Sequence, residues 1–210
     1  MKIVVFGSTG TIGEHVLEQG LDQGHQVFAF CRDKNKVSVS NHPRLKIVEG
    51  DVMNPLNVER ATTGMDAVVI VLGSGKSRKS VVRSEGTKNI IAAMQQNDVN
   101  RLICQSTLGT YESNGNLNFF WKRIMFGWYL KQIFLDHELQ EKYVKNSGLN
   151  WTIVRPSAFI DGAKTENYLH GFGAEEKSLK LKISRADVAD FILKQVSSST
   201  YLHQTPGISY

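Results

Sequence analysis

The sequence predicts an α/β domain built on a doubly wound parallel sheet, and three observations carry that prediction. Short β-rich apolar runs alternate with amphipathic helical stretches. The runs are apolar on both faces, as strands covered by helices on both sides are. A glycine-rich turn, GSTGTIG at 7–13, follows the first run directly. The 210 residues contain no internal repeat, linker or low-complexity tract and read as one domain over 1–210.

The elements follow in order. KIVVF (2–6) is the first strand, and Ile12, Val16, Leu17 and Leu21 mark one face of the helix behind it, which Gly24 ends. HQVFAFC (25–31) and RLKIVEGDV (44–52) are the second and third strands, and Asn54-Pro55 opens a short helix with proline in its first turn. DAVVIVLG (66–73) is the fourth. A helix over about 81–97 carries Val82, Ile90, Ile91 and Met94 on its apolar face. RLICQST (101–107) is the fifth strand, 137–147 a helix closed by Gly148, and WTIVRPSAF (151–159) the sixth strand. Ser184-x-x-Asp187 reads as an N-terminal cap on a last helix.

Composition narrows the function. The net charge of +5 suits an anionic ligand, and equally a protein that is only mildly basic. The densest cationic group, Lys76, Arg78, Lys79 and Arg83, is too small for a nucleic-acid footprint. Cys31 and Cys104 sit in apolar runs without a partner at metal-ligand spacing, so buried free thiols and no metal are expected. Met1-Lys2 leads straight into a strand, with no signal-peptide pattern. Lys122, Arg123 and Lys131 interrupt the longest apolar stretch, which argues against a transmembrane segment. The expectation is a cytoplasmic protein, its oligomeric state open with a monomer favoured.

The glycine turn carries the chemistry. Gly7 permits the tight exit from the strand, Gly10 lets backbone approach a pyrophosphate, and Gly13 lets the helix pack on the sheet. N–H groups at the helix start then face the phosphates. That is a Rossmann-like dinucleotide site, with the later part of the chain adding a small substrate-side cap. Where an NAD site places an acidic residue at the tip of strand two, this chain has Arg32, with Lys36 beyond it. Both suit a 2′-phosphate and favour NADPH/NADP, provided Asp33 turns to solvent or caps the next turn. Asp51 and Val52 are placed to flank an adenine, or else to cap a helix and join the core. Leu72 and Gly73 would line the groove.

With GSTGTIG, CRDKNK, GDV, VVIVLGS, SEGTKNIIAAM and ICQST in view, the chain resembles the flavin reductase/biliverdin-IXβ reductase group of atypical short-chain dehydrogenases. The resemblance runs over residues 2–108 and resumes at 136–156. It implies a cofactor site of Gly7, Thr9, Gly10, Thr11, Ile12, Arg32, Lys36, Asp51, Val52, Leu72 and Gly73. It sets Cys104, Ser106 and His137 near the nicotinamide, with Pro156 also on the cofactor, and it implies a small-molecule flavin or linear tetrapyrrole as acceptor. Two departures fall on the acceptor side. The stretch from Thr110 to Leu135 is longer and more aromatic than the group leads one to expect, and RPSA (155–158) stands where a histidine follows the prolines in the mammalian enzyme.

Most carbonyl-reducing short-chain dehydrogenases use a Tyr-x-x-x-Lys pair as proton donor. Tyr111, Tyr129, Tyr143 and Tyr168 are followed four residues later by Gly115, Ile133, Ser147 and Phe172, so that pair is missing. The chemistry left is hydride transfer to an acceptor that needs little acid help, with protonation from solvent. Ser106 is then the candidate catalytic residue, orienting acceptor or water, unless it only caps the strand-to-loop turn. Within the aromatic-basic cap segment, 110–135, the run 117–135 has three readings: an acceptor wall, a membrane or partner surface helix, or core. Trp121 and Trp128, seven apart, are expected on one helical face. A non-catalytic NADP(H)-binding sensor or assembly factor of NmrA-like type is the rival to a reductase.

Overall fold

The computed structural model describes residues 1–39, 41–73, 75 and 80–210. Strands β1 (Lys2–Phe6), β2 (Gln26–Cys31), β3 (Leu45–Glu49), β4 (Ala67–Ile70), β5 (Arg101–Gln105) and β6 (Asn150–Pro156) alternate with helices α1 (Thr11–Asp22), α2 (Pro55–Thr62), α3 (Val82–Gln96) and α4 (Lys131–Lys145). The sheet order is β3-β2-β1-β4-β5-β6, extended by β10 (Gly207–Ser209) and β8 (Leu169–His170). Every neighbour is parallel except β10 and β8. A chain that starts in the middle and winds outward both ways is the doubly wound arrangement, with its switch point between β1 and β4.

Side-chain alternation along β1 explains the two layers. Ile3 and Val5 face one side and join α1 and helix α5 (Arg185–Ser197) in a core with Val16, Leu17, Phe191 and Ile192. Val4 and Phe6 face the other, where Val58, Ile90 and Met94 from α2 and α3 cover them. β3 departs from the expected two-sided burial. It is the sheet edge, and most of its side chains reach solvent. The expected caps form at α2, where Asn54 accepts from the N–H groups of Leu56 and Asn57 with Pro55 behind it. At α5 only half the box closes. Ser184 Oγ accepts from Asp187 N, while the Asp187 carboxylate turns away to Thr165, Glu166 and Tyr210.

Several boundaries differ from the sequence reading, and β3 and β5 end early, at Glu49 and Gln105. β4 stops at Ile70, so Leu72 and Gly73 lie in the following loop. The run 151–159 is two strands, because after Pro156 the chain leaves the main sheet. Residues Ala158–Ile160 (β7) instead pair in parallel with Lys182–Ser184 (β9). The helix expected over 137–147 begins at Lys131 and is preceded by a ten-residue π-helix, Phe120–Tyr129.

Candidate functional site: a nucleotide groove beside an aromatic-walled cavity

The turn after β1 is fixed by what surrounds it. Gly7 has φ +93°, a left-handed conformation, and a Cβ there would stand 2.4 Å from the Val71 carbonyl oxygen. A Cβ on Gly13 would stand 2.1 Å from the Gly7 carbonyl oxygen, so only glycine lets α1 close onto the turn. Ser8 is buried and donates to the Phe30 carbonyl at 2.8 Å, tying the turn to the end of β2. Gly10 is different. It is exposed, precedes the first turn of α1 and has no side chain to cap it. The N–H groups of Thr11, Ile12 and Gly13 therefore stand at the helix mouth without intrahelical acceptors, where the helix dipole adds positive potential. Thr9 is half-buried and Thr11 exposed beside them, while the Ile12 side chain points down into the core and leaves only its backbone to a ligand.

The other walls agree with this mouth. Phe6 pairs in register with Phe30 and with Ile70, so the loops after β1, β2 and β4 meet at one edge. Arg32 is exposed just past β2 and makes no ion pair among the described residues, and Lys36 is exposed one short turn further on. Asp33 caps that turn, accepting from Asn35 N at 3.0 Å, and so leaves the site to the two cations. Asp51 folds back on Met53 N through one oxygen, and the Val52 side chain is buried against Gly86. A Cβ added at Gly73 would meet nothing, which leaves that side of the groove open. Lys76, Arg78 and Lys79 lie outside the described residues.

At the expected nicotinamide end the side chains are less available than the motif implied. Cys104 is fully buried inside the α2–α3 layer and burial pushes its thiol well up, so it offers no surface to a cofactor. Ser106 is also fully buried, and its backbone extends the β5–β6 ladder through Val154. Its hydroxyl has no partner at hydrogen-bond distance, although it faces the Glu141 carboxylate. His137 is not at a helix start. It lies in the middle of α4, 5% exposed, 3.3 Å from Gln140 Oε1, and burial together with the Arg83 charge lowers its pKa to about 3. Pro156 is buried too, but it lines a cavity. Cys31 is a second buried free thiol.

An ionic cluster missed in the sequence explains why α4 and β6 hold together here. Arg155, almost fully buried, forks onto the equally buried Glu141 at 2.9 and 2.7 Å and reaches Glu112 at 2.5 Å. Burial works against the Glu141 charge, but Arg155, then Thr110 and Ser106, hold the carboxyl below its ordinary range. The signal was present, since an arginine within the apolar strand WTIVRP demands a buried partner. Asp136 plays a similar part at α3, accepting from the N–H groups of Arg83 and Ser84 and, at 2.5 Å, from the Ser84 hydroxyl.

Beside the helix mouth lies an apolar cavity of about 290 Å³, walled by Trp121, Phe126 and Leu130 on one side and Pro156, Ser157 and Phe159 on the other. Ser157 is buried with an unpaired hydroxyl. Arg185 lines the cavity as well and joins it to the glycine turn. Its Nε donates to Thr11 Oγ1 at 3.2 Å, its Nη1 pairs with the exposed Asp161 at 2.6 Å, and its guanidinium stands 5.9 Å from the Phe159 ring. Two other hollows, of about 380 and 220 Å³, are not lined by Arg185. No residue of the π-helix that forms the wall is fully buried, while Trp121 and Phe126 are half-buried against Leu108, Leu117 and Leu179. Its bonds run i→i+5, as from Leu130 N to Met125 O. Seven residues are then about one and a half turns, not two, so Trp121 faces the cavity while Trp128 faces away.

The sequence matches the NAD(P)H-binding family over residues 7–199. The chain belongs to that family. As an NAD(P)H-binding domain with a Rossmann-like fold, it binds a nicotinamide cofactor. It is 30% identical to the chloroplastic protein At2g34460 of Arabidopsis thaliana, over 94% of this chain and 74% of that one. It is 26% identical to the photosystem II assembly factor Ycf39 of Synechocystis over 77% of this chain, which spans 46% of that protein's length. Among solved structures, the oxidoreductase ylbE from Lactococcus lactis superposes with a TM-score of 0.84 at 25% identity, over all of this chain and 90% of that one. None of the described helices is long and apolar enough to cross a membrane.

Proposed function

We propose that this domain is an NADPH-dependent reductase passing a hydride to a flat, conjugated acceptor, a flavin or a linear tetrapyrrole. One observation carries the reading. The aromatic-walled cavity opens beside the nucleotide groove, and Arg185 belongs to both through its bond to Thr11. An apolar slot next to the cofactor mouth suits hydride transfer between stacked rings, where the protein's contribution is position and exclusion of water.

The residues support a division of labour. The free N–H groups of Thr11, Ile12 and Gly13 hold the pyrophosphate, and the exposed Arg32 and Lys36 select the 2′-phosphate, favouring NADPH over NADH. When bound, the reduced nicotinamide supplies the hydride. Trp121, Phe126 and Phe159 sandwich the acceptor, and the unpaired Ser157 hydroxyl offers it one hydrogen bond. Ser106 is enclosed beneath the site and acts on it only through Glu141 and the backbone. With no tyrosine-lysine pair, the proton comes from solvent.

The test is NADPH oxidation by the purified protein, followed by the loss of nicotinamide absorbance, with FMN, with biliverdin IXβ, and with no acceptor. Acceptor-dependent oxidation, slower with NADH, supports the reading. Tight NADPH binding with no turnover on either acceptor overturns it. That outcome favours the second reading, a non-catalytic NADP(H)-binding assembly factor, which draws on the likeness to Ycf39 and on the exposed outer face of the π-helix.

A further inference from the structure

The π-helix and the first turns of α4 are amphipathic in the wrong sense. Their outer side, which should be polar, carries Phe119 (73% exposed), Phe120, Ile124, Trp128 (79% exposed) and Leu135. Arg123 and Lys131 stand on the same side and are exposed. No aspartate or glutamate occurs between Glu112 and Asp136, so nothing on this stretch offsets the two cations and Lys122. The inner side is already occupied, since Trp121 and Phe126 pack over Leu108, Leu117 and Leu179 and wall the cavity.

We infer that this outer face docks the protein on the surface of an anionic lipid bilayer. Aromatic rings flanked by arginine and lysine match the boundary between acyl chains and negatively charged headgroups. The helix is too short and too charged to span, so it lies in the plane of the surface with its rings sunk below the headgroups. A second copy of the chain fits the face less well, because two-fold pairing of one patch on itself brings Arg123 and Lys131 against their own counterparts. The inference does not depend on the reductase reading. Taken with it, the same helix stands between the bilayer and the acceptor cavity.

The experiment is co-sedimentation of the full chain with vesicles of mixed phosphatidylglycerol and phosphatidylcholine, and with phosphatidylcholine alone. The expected result is partition onto the anionic vesicles that falls with salt. It is weakened about five-fold for each of Arg123→Gln and Lys131→Gln, and abolished in Phe120→Ser/Trp128→Ser. Because these side chains are exposed and stand outside the nucleotide groove, NADPH binding, read by fluorescence, is expected to stay unchanged and reports on the fold of each variant. No partition onto anionic vesicles overturns the inference. So does equal partition of the serine variant, or equal binding to phosphatidylcholine alone. Self-association without lipid that Trp128→Ser removes, with no vesicle binding, assigns the face to a second copy instead.

Discussion

The neutral, buried imidazole of His137 makes a measurable claim about acid stability. Enclosed in α4 with Gln140 as its neighbour, it has a pKa lowered to about 3 by burial and by the charge of Arg83, against an ordinary 6.5. Unfolded, the same ring takes up a proton as the pH drops through 6.5. Between 6.5 and about 3 the unfolded chain therefore binds a proton that the folded one refuses, and stability falls as the pH falls. From pH 7 to pH 5 the loss works out at about 2 kcal/mol, since each unit is worth about 1.4 kcal/mol. For a chain of this size that is a Tm lowered by roughly 4–8 °C. Carboxyls held low in the fold, such as Glu112, Glu141 and Asp187, add their losses mainly at more acid pH. The assay is thermal unfolding of wild type and His137→Gln at several pH values across the window. Comparing slopes cancels the substitution's own cost and other groups shifted in both, among them half-buried His25 and Glu138. A variant whose Tm falls as steeply as wild type between pH 7 and 5, or a His137 resonance titrating near 6.5, refutes the reasoning.

Three more outcomes follow from the site. Arg32→Glu is expected to weaken NADPH by roughly ten- to a hundred-fold while leaving NADH nearly unchanged, the worth of a charge-assisted hydrogen bond to a phosphate. Equal loss of both cofactors in a binding titration removes the 2′-phosphate assignment. Breaking the buried pair by Arg155→Met alone should cost about 3–5 kcal/mol in urea unfolding, and Arg155→Met/Glu141→Leu should recover much of it. A double variant as unstable as the sum of its parts argues that the pair is not a unit. Ser106→Ala removes a hydroxyl with no hydrogen-bond partner and should change turnover on FMN by only a few-fold. Turnover falling to the acceptor-free background makes Ser106 an essential proton donor.

The nucleotide half of the site was legible because its determinants are local. Strand, three glycines at fixed spacing, and a 3.6-period helix occur in 20 consecutive residues, and Gly7 and Gly13 each have a steric reason within that stretch. Asn54-Pro55 and Ser184 were legible for the same reason, since a cap acts on its own next turn. What the sequence hid is long-range. The run WTIVRPSAF is uniformly β-rich, and only the arrival of β9 and β10 decides that it divides after Pro156. The i→i+5 bonding of residues 120–129 leaves no mark in an apolar pattern that already lacks a polar face. Arg185 carries no local signal of its role, and its meeting with Thr11 requires α5 to pack on α1, 174 residues away in sequence. Cys104 and Ser106 sat at the right strand tip, but sequence position does not tell which side of a strand end is sealed.

The two walls of the cavity are built to different standards of fixity. One side descends from β6 and α5, whose Val154, Val188 and Ile192 are locked among the sheet's own core residues, with the short β7 beside them, and it is tied by Arg185 to the glycine turn. The other is a single wide-turn helix with no buried residue, leaning on three leucines. Substitutions at 121, 126 or 130 therefore reshape what the slot admits without disturbing the nucleotide groove. On the proposed reductase reading, acceptor choice is therefore detachable from cofactor choice, and chains sharing the glycine turn can diverge in what they reduce while continuing to draw on the same pool of nucleotide.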